Sequence, residues 1–128
     1  FLVMNGDVLT DLDFTSFYNN HTEKGRNFTI AAHRRMDKVE YGVLHKNDNS
    51  ELIGFEEKPT NQYLVSMGIY MMNKKNLEFI PSNTFFGFDH LMNALLNKEI
   101  LPYIHEFDGY WLDIGRPDDY EKAINDLK

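Results

Sequence analysis

Phe1-Leu2-Val3-Met4-Asn5-Gly6-Asp7 opens the chain with four apolar residues and closes on a turn and an acid. A run that is apolar at every position suits a strand covered on both faces, as in parallel sheets, and Asn-Gly-Asp is turn chemistry. The segment therefore points to an α/β sheet. Working outward, Phe14, Phe17, Tyr18 and His21 recur at helical spacing, with Asp11 or Asp13 as a cap and Gly25 as a stop. Phe28–His33 predicts the next strand. Tyr41–His45 and Leu52–Phe55 flank Asn47-Asp48-Asn49-Ser50, which reads as a hairpin with a four-residue turn. Tyr63–Met72 is another nearly continuous apolar strand. Phe88, Leu91, Met92 and Leu95 make a helical face with Asp89 near its start, and Ile100–Phe107 returns as a strand. Pro117 suits the first position of a last helix, where Asp118 and Asp119 meet the positive end of its dipole. Tyr120, Ala123, Ile124 and Leu127 form the stripe of that helix. Strands alternating with helices predict an α/β fold with flanking helices, and the hairpin adds a mixed or antiparallel element to its sheet. A chain that begins inside such a strand is expected to belong to something longer.

The 128 residues allow one domain or part of one. With 13 basic and 20 acidic residues the formal charge is −7, which argues against a nucleic-acid backbone or an anionic membrane as the main partner. Hydrophobic residues at 42% and aromatics at 14% are enough for a core, so a disordered chain is excluded. The absence of cysteine removes disulfides, a thiol nucleophile and a thiolate zinc site. No apolar run approaches the roughly 18 residues of a membrane span, and no secretory signal pattern stands at the start. The expected location is the cytoplasm.

Three places carry chemistry. Asp7 follows a strand, where open α/β sheets gather ligands, so its carboxylate reads either as a metal ligand or as a turn acid bonded to its own backbone. Glu56-Glu57-Lys58-Pro59 ends another strand and offers a carboxylate and an ammonium to a sugar phosphate; it also reads as an ordinary charged strand end. Alternate strand residues face opposite ways, so Glu57 and Lys58 can serve one ligand only if the chain bends at Pro59. Asp113 sits among Trp111, Leu112 and Ile114, either as a buried acid needing a cation or as a structural acid near a helix start. The histidines (His21, His33, His45, His90, His105) are scattered without metal spacing and read mostly as surface or half-buried groups. Met67, Met71 and Met72 read as core. No GxSxG elbow, GxGxxG or GxxxxGK[ST] loop occurs.

Taken in order, FLVMNGD, YGVL, GFEEKP, SMGIY and GYWLDIGRPDDYEKA resemble the sugar-phosphate nucleotidylyltransferase family, nearest its mannose-1-phosphate guanylyltransferase-like branch. The resemblance runs across residues 1–128. It implies part of a Rossmann-like nucleotidyltransferase fold, namely its C-terminal, sugar-phosphate-binding portion. It also implies a reaction between a nucleoside triphosphate and a sugar 1-phosphate, in which the sugar phosphate oxygen attacks the α-phosphorus and pyrophosphate leaves. By the same resemblance Asp7 and Asp113 hold Mg²⁺. Tyr41 and Gly42 lie against the sugar phosphate, Glu57 accepts from sugar hydroxyls, Lys58 faces the phosphate, and Ser66 occupies a sugar-contacting position. Ser66 stands where members often carry Asn, and Arg116 where many carry a helix-capping Thr. The family's glycine-rich triphosphate segment is not among these residues. Alternatives are a non-catalytic binding module of the same fold, or a metal-dependent glycosyltransferase using Asp11-Leu12-Asp13. The 128 residues alone are expected to fold without catalysing, and to self-associate through the open edge at Phe1–Met4.

Overall fold

A computed structural model describes residues 1–115 and 117–127. In chain order the elements are β1 (Leu2–Met4), β2 (Val8–Thr10), α1 (Phe14–Glu23), β3 (Phe28–Lys38), β4 (Gly42–Lys46) and β5 (Leu52–Glu57). They continue as β6 (Thr60–Met72), a 3₁₀ segment (Lys74–Phe79), α2 (Phe88–Asn97), β7 (Tyr103–Glu106), β8 (Trp111–Asp113) and α3 (Pro117–Asp126). The chain divides into two compact units, residues 1–33 with 66–128, and Arg34–Val65.

The first unit is built on a sheet of order β1-β6-β3-β7, with β1 antiparallel to β6 and β3 parallel to β7. The expected mixed sheet is present, but its antiparallel member is β1; the β4–β5 hairpin expected to add that element forms a sheet of its own. Period two divides the apolar run of β6 between two cores. Met67, Ile69 and Met71 pack with Ala31 of β3 and Phe17 of α1. Tyr70 and Met72 pack with Phe28 of β3 and Leu91 and Leu95 of α2. Helices therefore cover both faces of β6 from Met67 to Met72, which is why that stretch has no polar side. Full burial of Phe17 or Leu95 stabilises the fold by roughly 1.5–3 kcal/mol each.

Capping follows the sequence where polar atoms are available. Asp13 accepts from the Ser16 backbone N–H at 3.2 Å and from its hydroxyl at 3.0 Å, which fixes the start of α1 and holds the Asp13 carboxyl below its usual range. Past α1 the chain turns at Gly25, φ +62. At α2 the cap is Gly87, whose N–H donates to His90 Nδ1 at 2.9 Å. Pro117 opens α3, with Asp118 and Asp119 in its first turn.

Exposure decides four of the sequence readings. β1 is an edge strand paired with β6, and Phe1–Met4 are 37–47% exposed: this is the open edge expected at these residues, and not a strand covered on both faces. An apolar run records what a strand can pack against; its place in the sheet decides whether it does. The stripe of α3 is likewise open, with Ala123 buried but Tyr120, Ile124 and Leu127 exposed. His21 is buried: its Nε2–H donates to Asn73 Oδ1 at 2.8 Å, leaving Nδ1 to accept from the Thr29 hydroxyl at 2.8 Å. Asp113 emerges exposed, not buried. The consequence of Arg116 for the start of α3 lies outside the described residues.

The second unit centres on the β4–β5 hairpin, in register Gly42↔Glu57 and Leu44↔Phe55 with a bulge at His45/Lys46. The loop spans Asn47–Glu51, one residue longer than the expected turn. It is closed by Asn47 Oδ1, which accepts from the Asn49 and Glu51 backbone N–H groups. No described residue of this unit is buried, so the backbone ladder carries the hairpin. Between β5 and β6 stand only Lys58 and Pro59. The expected bend is made at Lys58, which has φ +44, a left-handed backbone that costs a non-glycine residue about 1–2 kcal/mol.

Two outcomes follow. Lys58→Gly should slow amide exchange across β4–β5 by a gain of up to about 1 kcal/mol, once glycine's larger unfolded entropy is set against the relieved strain; faster exchange would contradict the left-handed backbone. His105 titrates below its ordinary range because burial disfavours its charge, with Arg26 and Lys24 adding repulsion. Its folded value being depressed, its stabilising contribution is complete above the unfolded histidine value and is lost as pH falls through that window. A pH titration of the ring protons by NMR reads this directly, and an upward shift would contradict it.

Candidate active site

Two short strands that the sequence does not advertise carry the acid pair. β2 and β8 pair antiparallel, Val8 opposite Asp113, Leu9 opposite Leu112 and Thr10 opposite Trp111. At one end the ladder is fastened by Asp11: its N–H donates to the Tyr110 carbonyl at 3.2 Å, and its Oδ1 accepts from the Tyr110 N–H at 2.8 Å. At the other end the Ile114 N–H donates to the Asp7 carbonyl at 2.6 Å. Asp7 therefore precedes one strand at the point where Asp113 ends the other.

Gly115 marks where the two side chains meet. A Cβ placed on it would stand 3.7 and 3.9 Å from the Asp113 carboxylate oxygens and 4.0 Å from Asp7 Oδ2. The two carboxylates thus border one small open volume, at most about 8 Å apart, a span that a hydrated Mg²⁺ can bridge because it keeps several of its waters. Both are exposed, and neither has a hydrogen bond or ion pair to another described side chain. Two unengaged carboxylates are a donor set that suits Mg²⁺, which takes one or two carboxylates and completes its shell with water and phosphate oxygens. No cluster of three or more metal-ligating side chains occurs among the described residues.

Asp11 and Asp13 are otherwise employed. The first holds the Tyr110 N–H and the second caps α1, so the Asp-Leu-Asp letters supply no free acid pair for a glycosyltransferase metal.

The second unit gathers four of the residues read as substrate-binding. Gly42 pairs with Glu57, and the Lys58 N–H donates to the Tyr41 carbonyl at 3.2 Å. A Cβ on Gly42 would lie 2.9 Å from the Phe55 ring and 3.7 Å from Glu57 Oε2, so glycine keeps the space beside that carboxylate open. Tyr41, Gly42, Glu57 and Lys58 are all exposed. Ser66, in the first unit, is committed to its own strand: its Oγ accepts from the Gly68 N–H at 3.2 Å and donates to the Tyr70 hydroxyl at 3.3 Å.

The chain is similar to known proteins along its length. The family model described as "Nucleotidyl transferase" matches residues 1–128. The glucose-1-phosphate adenylyltransferase of Mycoplasma mobile is 32% identical over 98% of this chain and 36% of its own length. For the UTP–glucose-1-phosphate uridylyltransferase of Synechocystis the figures are 33%, 97% and 34%. For the mannose-1-phosphate guanyltransferase of Yarrowia lipolytica they are 30%, 94% and 34%. The crystal structure of HddC from Yersinia pseudotuberculosis complexed with GMP-PN matches with a TM-score of 0.64 at 26% identity, over all of this chain and 55% of that one. The chain spans about a third of the length of these curated relatives. It belongs to the nucleotidyl transferase family, beside relatives named for their sugar 1-phosphate substrates.

Proposed function

We propose that these residues form the sugar-phosphate side of an enzyme that joins a nucleoside monophosphate, taken from a nucleoside triphosphate, to a sugar 1-phosphate. The observation that carries this reading is the meeting of Asp7 and Asp113 around Gly115 in a chain of this family. Asp7 and Asp113 would hold Mg²⁺, whose contribution when bound is to neutralise phosphate charge as pyrophosphate departs. The chain's own part is positioning. Glu57 accepts hydrogen bonds from sugar hydroxyls, Lys58 sets its ammonium against the phosphate, and Tyr41 and Gly42 give the sugar phosphate close approach to the backbone. Ser66 touches the sugar only at the expense of its bonds within β6. Such transfer needs no covalent nucleophile, only alignment of the attacking phosphate oxygen with the α-phosphorus.

The strain at Lys58 supports this assignment, because left-handed backbone at a non-glycine residue is a feature that gathers at ligand-holding positions. The relatives divide among adenylyl, uridylyl and guanylyl transfer. The motif resemblance favours GTP with mannose 1-phosphate, acting in the cytoplasm. No described helix is long and apolar enough to cross a membrane. Because whole relatives are about three times longer, the 128 residues alone are proposed to bind without turning over. The apolar, unpaired edge of β1 is proposed to pair with a second copy.

Titration of Mn²⁺, followed by the electron paramagnetic resonance of the free ion, should show one site that Asp7→Asn or Asp113→Asn removes. Mannose 1-phosphate should shift the amide signals of Gly42, Glu57 and Lys58, and Lys58→Met should weaken that response about tenfold or more. Mn²⁺ binding untouched by either aspartate change would overturn the assignment. Light scattering should report a dimer or larger species, and a strict monomer at high concentration would contradict the edge pairing.

A further inference from the structure

Two consecutive carbonyls of β6 hold the two arms that end in the acids. The Asn5 N–H donates to the Gly68 carbonyl at 2.9 Å, two residues before Asp7. The Trp111 Nε1–H donates to the Met67 carbonyl at 3.1 Å, two residues before Asp113. We infer that this step in β6 is the gauge that sets the spacing of Asp7 and Asp113, with Gly68 and Trp111 as positioning residues for the ion they would hold. The inference rests on the reading of Asp7 and Asp113 as the ion's ligands.

The step is a local departure from a regular strand. Gly68 has φ +76, and a Cβ there would lie 2.5 Å from Asn5 Nδ2 and 3.0 Å from its Cγ. Any other residue there must hold a left-handed backbone and displace the Asn5 side chain, which belongs to the arm of Asp7. The departure is supported from within β6 by the Ser66 hydroxyl, which takes the Gly68 N–H at 3.2 Å. On the other arm the indole is clamped as well as bonded. His33 lies across it with ring centroids 5.5 Å apart, and His33 is itself tied to the Phe107 carbonyl through Nδ1 at 2.9 Å. The Trp111 ring also packs against the core that contains Met67. Each acid thus hangs from one carbonyl of the same two-residue step, and the β2–β8 ladder only has to keep the two arms side by side. Groups bonded directly to metal ligands typically change affinity 10–100-fold when removed, and these anchors, which act one step further back, belong at the low end of that range.

Each anchor should govern its own acid, and a purely structural role would not produce that asymmetry. Trp111→Phe keeps the packing ring and deletes the N–H; Gly68→Ala inserts the clash with Asn5. In the unaltered chain, Mn²⁺ should broaden the amide signals of Asp7 and Asp113 together. Trp111→Phe, with the remaining amide spectrum unchanged, should weaken Mn²⁺ binding about tenfold and reduce broadening at Asp113 relative to Asp7. Gly68→Ala should reverse that ratio. If Mn²⁺ broadens both amides in the unaltered chain and Trp111→Phe retains both affinity and ratio, the gauge is overturned while the acid pair stands. If Mn²⁺ broadens neither, the acid-pair reading and this inference fall together.

Discussion

The short ladder between Val8–Thr10 and Trp111–Asp113 is the constraint on which the candidate site depends. It joins segments about a hundred residues apart in sequence, and closing so long a loop costs entropy that three paired residues cannot offset alone. The ladder persists because its ends are fastened. Asp11 grips Tyr110 at one end, and the Ile114 N–H reaches the Asp7 carbonyl at the other. A third tie, from the Tyr110 hydroxyl to Asp126 at 2.5 Å, reaches the far end of α3 and pushes the Tyr110 phenol up to about 12.

Behind the ladder stands the sheet, and its rigidity explains how two exposed acids keep their places. β6 is buried on both faces from Met67 to Met72, wedged between the core of α1 and the core of α2. A strand in that position cannot shift without repacking both cores. Hanging both arms from it transfers that rigidity to carboxylates that have no hydrogen bond or ion pair to another described side chain. The hairpin of Arg34–Val65 is built on another principle: it buries no residue, and its order comes from backbone pairing and one strained lysine.

Much of this was legible in the sequence, for reasons that differ by element. The Phe14–His21 spacing and the Asp13 cap are local signals, and α1 forms where they say. Met67, Met71 and Met72 read as core because an unbroken apolar run has no other stable place, and they are buried. The open edge at Phe1–Met4 was not legible in the pattern itself, since a two-faced apolar strand and an edge strand share it, and was expected only from the resemblance. Neither was β2 or β8: three residues are too few to show a period, and what makes them strands is each other. Asp11 looked like a helix cap because cap chemistry and backbone gripping use the same carboxylate. Asp7 and Asp113 could be singled out by family likeness, whereas Gly68 and Trp111 emerge only from hydrogen bonds across the fold.

The central claim is that backbone pairing, not side-chain attraction, brings the two acids to one point. Amide hydrogen exchange at Ile114 tests it most directly, because that N–H lies just past the end of β8 and is held by its bond to the Asp7 carbonyl. The account predicts protection at Ile114 comparable to that of the β2–β8 amides, without any added ion or ligand. Exchange at Ile114 as fast as in an exposed loop would contradict it.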